Sequence, residues 1–323
     1  MLISRRKLLA GTTLAFLAAL APVQRAAAQD KPITIVVGSP AGGTTDALAR
    51  LIARSLGETL HRTVVVDNRP GAGGNIAAQY VARATPDGST LLMSFTGHTI
   101  NATLYKNLPF DPVKDFTPIT MVARVPSVLV ARKNAPFDST AGLIDYAKKN
   151  PGKLTFAIGA QGSSLHLASE QFKLQTGTDI VNIPYKGTNP ALTDLLGGTV
   201  DLMFASTVNV LPHVKAGTLK FLGVSSKEAL TQFPGVPPIG QTVKGFESSA
   251  WFGLFGPAKL PAAVTEQLYR AVKIAVDDPA YKKRMETEAA TAISMTPPAF
   301  AAFVRSDIQH WAKVIQASGT KVE

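Results

Sequence analysis

Two hydrophobic patterns alternate along the chain from residue 33 onward. Short apolar or β-branched runs at 33–37, 64–66 and 91–93 read as strands buried on both faces of a parallel sheet. Between them, residues 44–60 place Ala47, Leu48, Leu51, Ile52 and Leu56 at helical spacing, and 75–84 read as a second helix. The style repeats further on. Strands are expected at 128–131, 154–158, 181–183, 202–205 and 219–224, with helices at 139–150, 165–176 and 190–196. Pro234, Pro237 and Pro238 mark a connection after Phe233. A strand at 250–255 and helices at 261–277, 279–288 and 298–318 complete the chain. No repeat of 20–50 residues is visible. The alternation defines an α/β class built as two α/β units with a helical tail. If the chain leaves a first lobe near Val125 and returns near Trp251, the lobes share two connections. Such a hinged pair holds a cleft.

The first residues follow another logic. Arg5, Arg6 and Lys7 precede an uncharged run, 8–20, and Ala26, Ala27 and Ala28 supply a small-residue cleavage site. This is the layout of a signal peptide, 1–28. The apolar run is shorter than the roughly 20 residues of a membrane-spanning helix. Ser4 to Leu9 also has the look of a twin-arginine signal, and paired arginines occur in general secretion signals too, so the route stays open. Removal of 1–28 leaves 295 of the 323 residues, enough for two lobes with their own cores. Cysteine is absent, which excludes disulfides, thiol catalysis and Cys-type zinc sites. The net charge is +11. Arg5, Arg6, Lys7 and Arg25 contribute four of these charges, so the mature chain carries +7, thinly spread. No basic tract interleaved with aromatics points to nucleic acid.

Candidate chemistry lies in two small-residue loops that follow strands and open helices. The first is Ser39, Pro40, Ala41, Gly42, Gly43, Thr44 and Thr45, with Asp46 in the first helical turn. Backbone N–H groups at a helix N-terminus favour an anion, and glycine lets it approach the backbone. Neither the G-x-G-x-x-G spacing nor a Gly-Lys-Ser/Thr ending is present. Asp46 either bonds free N–H groups or faces the ligand. Repulsion between carboxylates favours the first role, and an amino-acid ligand the second. The other loop runs through Gly162, Ser163 and Ser164 to His166, where serine capping and anion binding share one geometry. Tyr185 and Lys186 form a third, weaker candidate, as a cleft wall and a cation. The five histidines are scattered, without H-E-x-x-H, and Gly-x-Ser-x-Gly is absent. Ser163 or Ser164 beside His166 on one helix start lacks a nucleophile–base geometry.

These segments together resemble one family. They are 39–50 (SPAGGTTDALAR), 67–76 (DNRPGAGGNI), 85–92 (TPDGSTLL), 183–187 (IPYKG) and 251–254 (WFGL). The chain resembles the Bug proteins, TctC-like periplasmic solute-binding components of tripartite tricarboxylate transporters, over nearly its whole mature length. The resemblance implies a two-lobed, Venus-flytrap α/β fold of the type II periplasmic binding class with hinge crossings. Lobe 1 would hold 29–126 and 233–323, and lobe 2 would hold 127–232. It implies a small carboxylate gripped by backbone amides and bridging waters, no cofactor or metal, no enzymatic activity, a monomer, and membrane transporter subunits as partners. Ser94, Thr96, His166, Tyr185, Lys186, Ala205 and Ser206 would line the pocket beside the two loops. Ala41 stands where relatives often carry another residue. A ligand sensor with a signalling partner is the second function compatible with these residues, and an exported hydrolase acting through Ser163 the third.

Overall fold

The computed structural model describes residues 31–321; the expected signal peptide lies outside them. The first lobe opens with β1 (Ile33–Val37), α1 (Thr44–Leu60), β2 (Val64–Asn68), α2 (Asn75–Ala82), β3 (Thr90–Phe95) and α3 (Gly97–Leu104). A long strand, β4 (Phe116–Arg132), carries the chain into the second lobe. There follow α4 (Thr140–Lys149), β5 (Thr155–Ile158), α5 (Ser164–Thr176), β6 (Val181–Pro184), α6 (Thr188–Gly197), β7 (Leu202–Ser206), α7 (Thr207–Ala216) and β8 (Leu219–Val224). The return strand is β9 (Ser249–Pro257). The tail is α8 (Ala262–Asp277), α9 (Pro279–Thr287), a short β10 (Thr291–Ala292) and α10 (Pro297–Ser318). No described helix is long and apolar enough to cross a membrane.

The strand order is β2-β1-β3-β9-β4-β7-β5-β6, with β8 and β10 also paired to β4. In both lobes the parallel trio has the same order, β2-β1-β3 and β6-β5-β7. The trio strands with apolar runs are buried on both faces, which is why they lack alternation. Each sheet is covered on two sides. Ile35, Leu48 and Val272 lie in one cluster of the first lobe, and Val36, Leu92 and Phe255 in the other. In the second lobe Phe156, Phe172 and Phe204 pack on one side, and Val128, Met203 and Val224 on the other.

β4 explains how two lobes share one strand. Its first part pairs with β9 from Phe116↔Pro257 to Pro126↔Ser249, and its second part pairs with β7 from Ser127↔Ser206 onward. The strand changes sheet between Pro126 and Ser127. Three buried serines tie the crossing. Ser127 N–H donates to Ser225 Oγ at 2.8 Å, Ser225 N–H to Ser127 O at 2.9 Å, and Ser248 N–H to Ser225 O at 3.1 Å. Only the far end of β4 is legible in the sequence, because Pro118 and Pro126 argue against a central strand. Proline is tolerated here because the ladder shifts register beside Pro118 and changes partner at Pro126.

The segment after Phe233 stays with the second lobe. Phe233 and Val236 pack beside Val224, and Ile239, Val243 and Phe246 pack beside Phe172 and Phe204. Val224 N–H donates to Pro237 O at 2.9 Å. The prolines that read as a linker hold an extended strip against β8, so the first lobe resumes at β9, not at residue 233.

Candidate functional site

The two candidate loops share one construction. Gly42 and Gly162 adopt left-handed φ values of 84° and 72°, open to glycine at little cost. Each donates its N–H to a side chain four residues on: Gly42 to Asp46 Oδ2 at 2.9 Å, Gly162 to His166 Nδ1 at 3.0 Å. The helix N-caps are Gly43 and Ser163. Asp46 is 3% exposed. Its carboxylate also accepts from Arg50 Nε and Asn68 Nδ2, each at 3.0 Å. The Arg50 hydrogen bond, helped by those from Gly42 and Asn68, outweighs burial and lowers its pKa to about 2. Asp46 is a brace for the loop, with both oxygens engaged.

The helix starts differ in what they leave unpaired. At α1 the N-cap is glycine and no side chain caps it, so the first-turn N–H groups of Thr44, Thr45 and Asp46 precede the first helical bond, Ala47 N–H to Gly43 O. At α5 the Ser163 hydroxyl accepts from His166 N–H at 3.2 Å and donates to Ala160 O at 2.8 Å. α5 is therefore partly capped by its own serine, while no side chain caps α1.

A cavity of about 430 Å3 joins these starts. The first loop contributes Ser39, Gly43, Thr44 and Thr45; the opposing loop contributes Ala160, Gln161, Gly162, Ser163 and Ser164. Gly73, Phe95, Thr96, Gly97, Ile100, Asn101, Leu104, Tyr105, Ala250 and Phe252 complete the wall. None of these residues carries a charge. The Ser39 hydroxyl is buried and has no hydrogen-bond partner in the protein. Close backbone approach sets the loop: a Cβ on Gly38 would lie 2.7 Å from Gly74 Cα. The floor is continuous with an apolar contact between lobes. Leu167, fully buried, packs from α5 against Ile100 and Leu104 of α3 and Trp311 of α10.

Several expected site residues stand off this cavity. Pro40, Ala41 and Gly42 lie on the outer side of the first loop, and Asp46 is behind it. Ser94 is buried in β3, paired with Gly253. Thr96 reaches the wall, and its hydroxyl oxygen accepts from Trp251 N–H at 2.8 Å. Tyr185 turns away to donate to Asp194 at 2.7 Å; burial and that carboxylate push its pKa up to about 12. Lys186 is exposed outside the lining, and Ala205 and Ser206 pair with β4. His166 lies under its loop with Nε2 3.6 Å from Glu170. Burial raises the pKa of Glu170, but hydrogen bonds from His166, Lys173 and Asn182 prevail and hold it at about 2. Among the wall residues the sequence reading passed over, Gly73 sat in a loop already marked by its glycines. α3 gave no periodic signal, because its short helix is buried on several sides.

A two-lobed α/β chain with a hinge strand and an uncharged cleft between two helix starts is a solute-binding protein of the periplasmic type. Solved structures agree. The R. palustris protein Rpa4515 with adipate superposes with a TM-score of 0.77 at 35% identity, over 90% of this chain and 98% of that one. MatC from Rhodopseudomonas palustris with bound malate gives 0.72 at 31%, over 88% and 98%. Residues 48–320 match the Tripartite tricarboxylate transporter family receptor, and the chain belongs to that family. BugT of Bordetella pertussis is 36% identical over 306 residues, 94% of each chain. The periplasmic binding protein BugD matches at 35% identity with a TM-score of 0.74, over 90% of this chain and 99% of that one. The family is one of solute receptors in the periplasm.

Proposed function

We propose that this chain is an exported receptor that captures a small carboxylate between its lobes and presents it to the membrane subunits of a tripartite tricarboxylate transporter. The observation that carries the reading is the uncapped start of α1, which lies beside the unpartnered Ser39 hydroxyl at an uncharged cleft. A carboxylate there takes orphan N–H donors and the helix dipole together. The relatives with adipate and malate support the ligand class. In this reading residues 1–28 are a cleaved export signal, by either route, and the protein acts as a monomer without a cofactor. One lobe comprises 31–126 with 249–321, and the other 127–248.

Catalysis has no support in the cleft. The Ser163 hydroxyl is bonded to backbone groups, and the His166 ring accepts from Gly162 instead of from a serine. The test is a thermal-shift screen of the mature protein against a carboxylate panel, followed by calorimetry, since a tight ligand raises the melting temperature by mass action. A folded protein that saturates with no carboxylate sinks the reading. Turnover of a carboxylate ester, abolished by Ser163→Ala, would replace it with a hydrolase.

A further inference from the structure

We infer that the ligand of this cleft carries an apolar body, aromatic or alkyl, behind its carboxylate, and that the cleft rejects amino acids, hydroxy acids and tricarboxylates. The inference rests on the reading of the site as a carboxylate cleft and adds what the far wall demands.

Donors come from the two helix starts, whereas Phe95, Ile100, Leu104 and Phe252 supply apolar wall, with Tyr105 beside them presenting a ring and a hydroxyl. These side chains belong to packed clusters, with Phe252 in the first-lobe core and Ile100 and Leu104 in the contact between lobes. The wall is therefore rigid and does not reorient to offer polar groups. Apolar ligand surface placed there leaves water favourably. A hydroxyl or ion placed there gives up its hydration with nothing in return.

Each polar addition fails for a nameable reason. An α-ammonium group needs an acid. Asp46 is buried with its oxygens held by Gly42, Arg50 and Asn68, and Glu170 is held by Lys173 at 2.8 Å and by Asn182. Neither acid lines the cavity. A third carboxylate, as in citrate, has to compete with the others for the same uncharged donors, because no Lys or Arg lines the cavity; Lys186 and Arg50 point their charge elsewhere. A hydroxyl on the ligand body finds no partner on Phe95, Ile100, Leu104 or Phe252; of the two amides in the lining, Gln161 lies on the α5 loop and Asn101 on α3. Asn101 Nδ2 is committed to Gly73 O at 3.0 Å and Asn75 Oδ1 at 2.8 Å.

Calorimetry on the mature protein compares benzoate and hexanoate with aspartate, malate and citrate. The better of the first two should bind roughly tenfold or more tightly than each of the other three, because an unpaired buried polar group forfeits at least that much. Its binding should show a negative heat-capacity change, the mark of apolar burial. If aspartate, malate or citrate binds most tightly, the inference fails while the carboxylate-receptor reading stands. If none of the five binds to protein that melts cooperatively, both fail. Tyr105→Glu places a carboxylate on the half-buried edge of the wall. It should weaken benzoate by roughly tenfold at an unchanged melting temperature. Unchanged benzoate affinity in a folded variant removes the wall from the binding site, and the wild-type ratios decide the matter if the variant does not fold.

Discussion

Gly43→Val separates the anion site from the fold. Gly43 has φ −78° and ψ 170°, extended backbone that any residue adopts. A Cβ built there meets only Pro40 O, at 3.5 Å, an ordinary contact. Valine is a poorer N-cap than glycine, so the stability cost is below about 1 kcal/mol. That corresponds to a fall in melting temperature of no more than about 2–4 °C for a domain of this size. In the cleft the branched side chain covers the first-turn donors of α1. Loss of two hydrogen bonds to a charged group, at about 1.5–3 kcal/mol each, amounts to about 3–6 kcal/mol. Affinity should drop by about 10²- to 10⁴-fold. The assay is calorimetric titration with the best ligand from the carboxylate panel, beside a melting curve by circular dichroism. Gly42 does not serve as the target, because its φ of 84° adds backbone strain to any side chain. A Gly43→Val protein that melts normally and keeps its affinity within about threefold, below about 0.7 kcal/mol, refutes the assignment of the carboxylate to α1.

Other outcomes follow from the same geometry. Lys186→Ala should leave affinity unchanged, since Lys186 lies outside the cavity lining; a large loss in titration would assign Lys186 to the site as a salt-bridge partner. Ser163→Ala should cost about 1 kcal/mol of stability through its lost cap, read as a lower denaturation midpoint. Leu167→Ala should destabilise by about 2–5 kcal/mol and loosen the contact between lobes, with a change in Trp311 fluorescence as the readout; an unchanged spectrum and midpoint would remove Leu167 from that contact. The folded-state pKa of Asp46, about 2, lies below its ordinary 3.8. Its contribution is therefore complete above about pH 4 and is lost as pH falls through 2. Asp46→Asn should flatten that part of the acid-melting profile, and an identical profile would show that the brace contributes nothing.

The elements with strong local patterning were legible from the chain alone. The buried runs of β1, β3 and β7 lack alternation because both faces are covered, and α1 shows its inward face at helical spacing. Both candidate loops were visible too, because a left-handed glycine before a helix leaves a local mark at Gly42 and at Gly162. Weakly patterned elements were not. α3 has no outward face to alternate with, and β4 hides behind Pro118 and Pro126.

Position across space is a different kind of fact. Residue spacing could place Asp46, Tyr185 and Lys186 near the loops, but not say which way each turns. Asp46 is drawn to Arg50 and Asn68, Tyr185 to Asp194, and Lys186 to solvent. The wall facing the donors joins β3 and the adjacent α3 to β9, which begins at Ser249 and meets them only because it pairs with β3. The same holds for the strip after Phe233, whose prolines look like a linker until β8 and the Phe172 cluster receive it. The sequence by itself therefore determined the two α/β units and the glycine-bearing loops that open α1 and α5, because those depend on hydrogen bonds and φ angles within a few residues. Only the tertiary structure decided that one helix start is left uncapped in an uncharged cleft, because burial and charge at a point depend on every segment that reaches it.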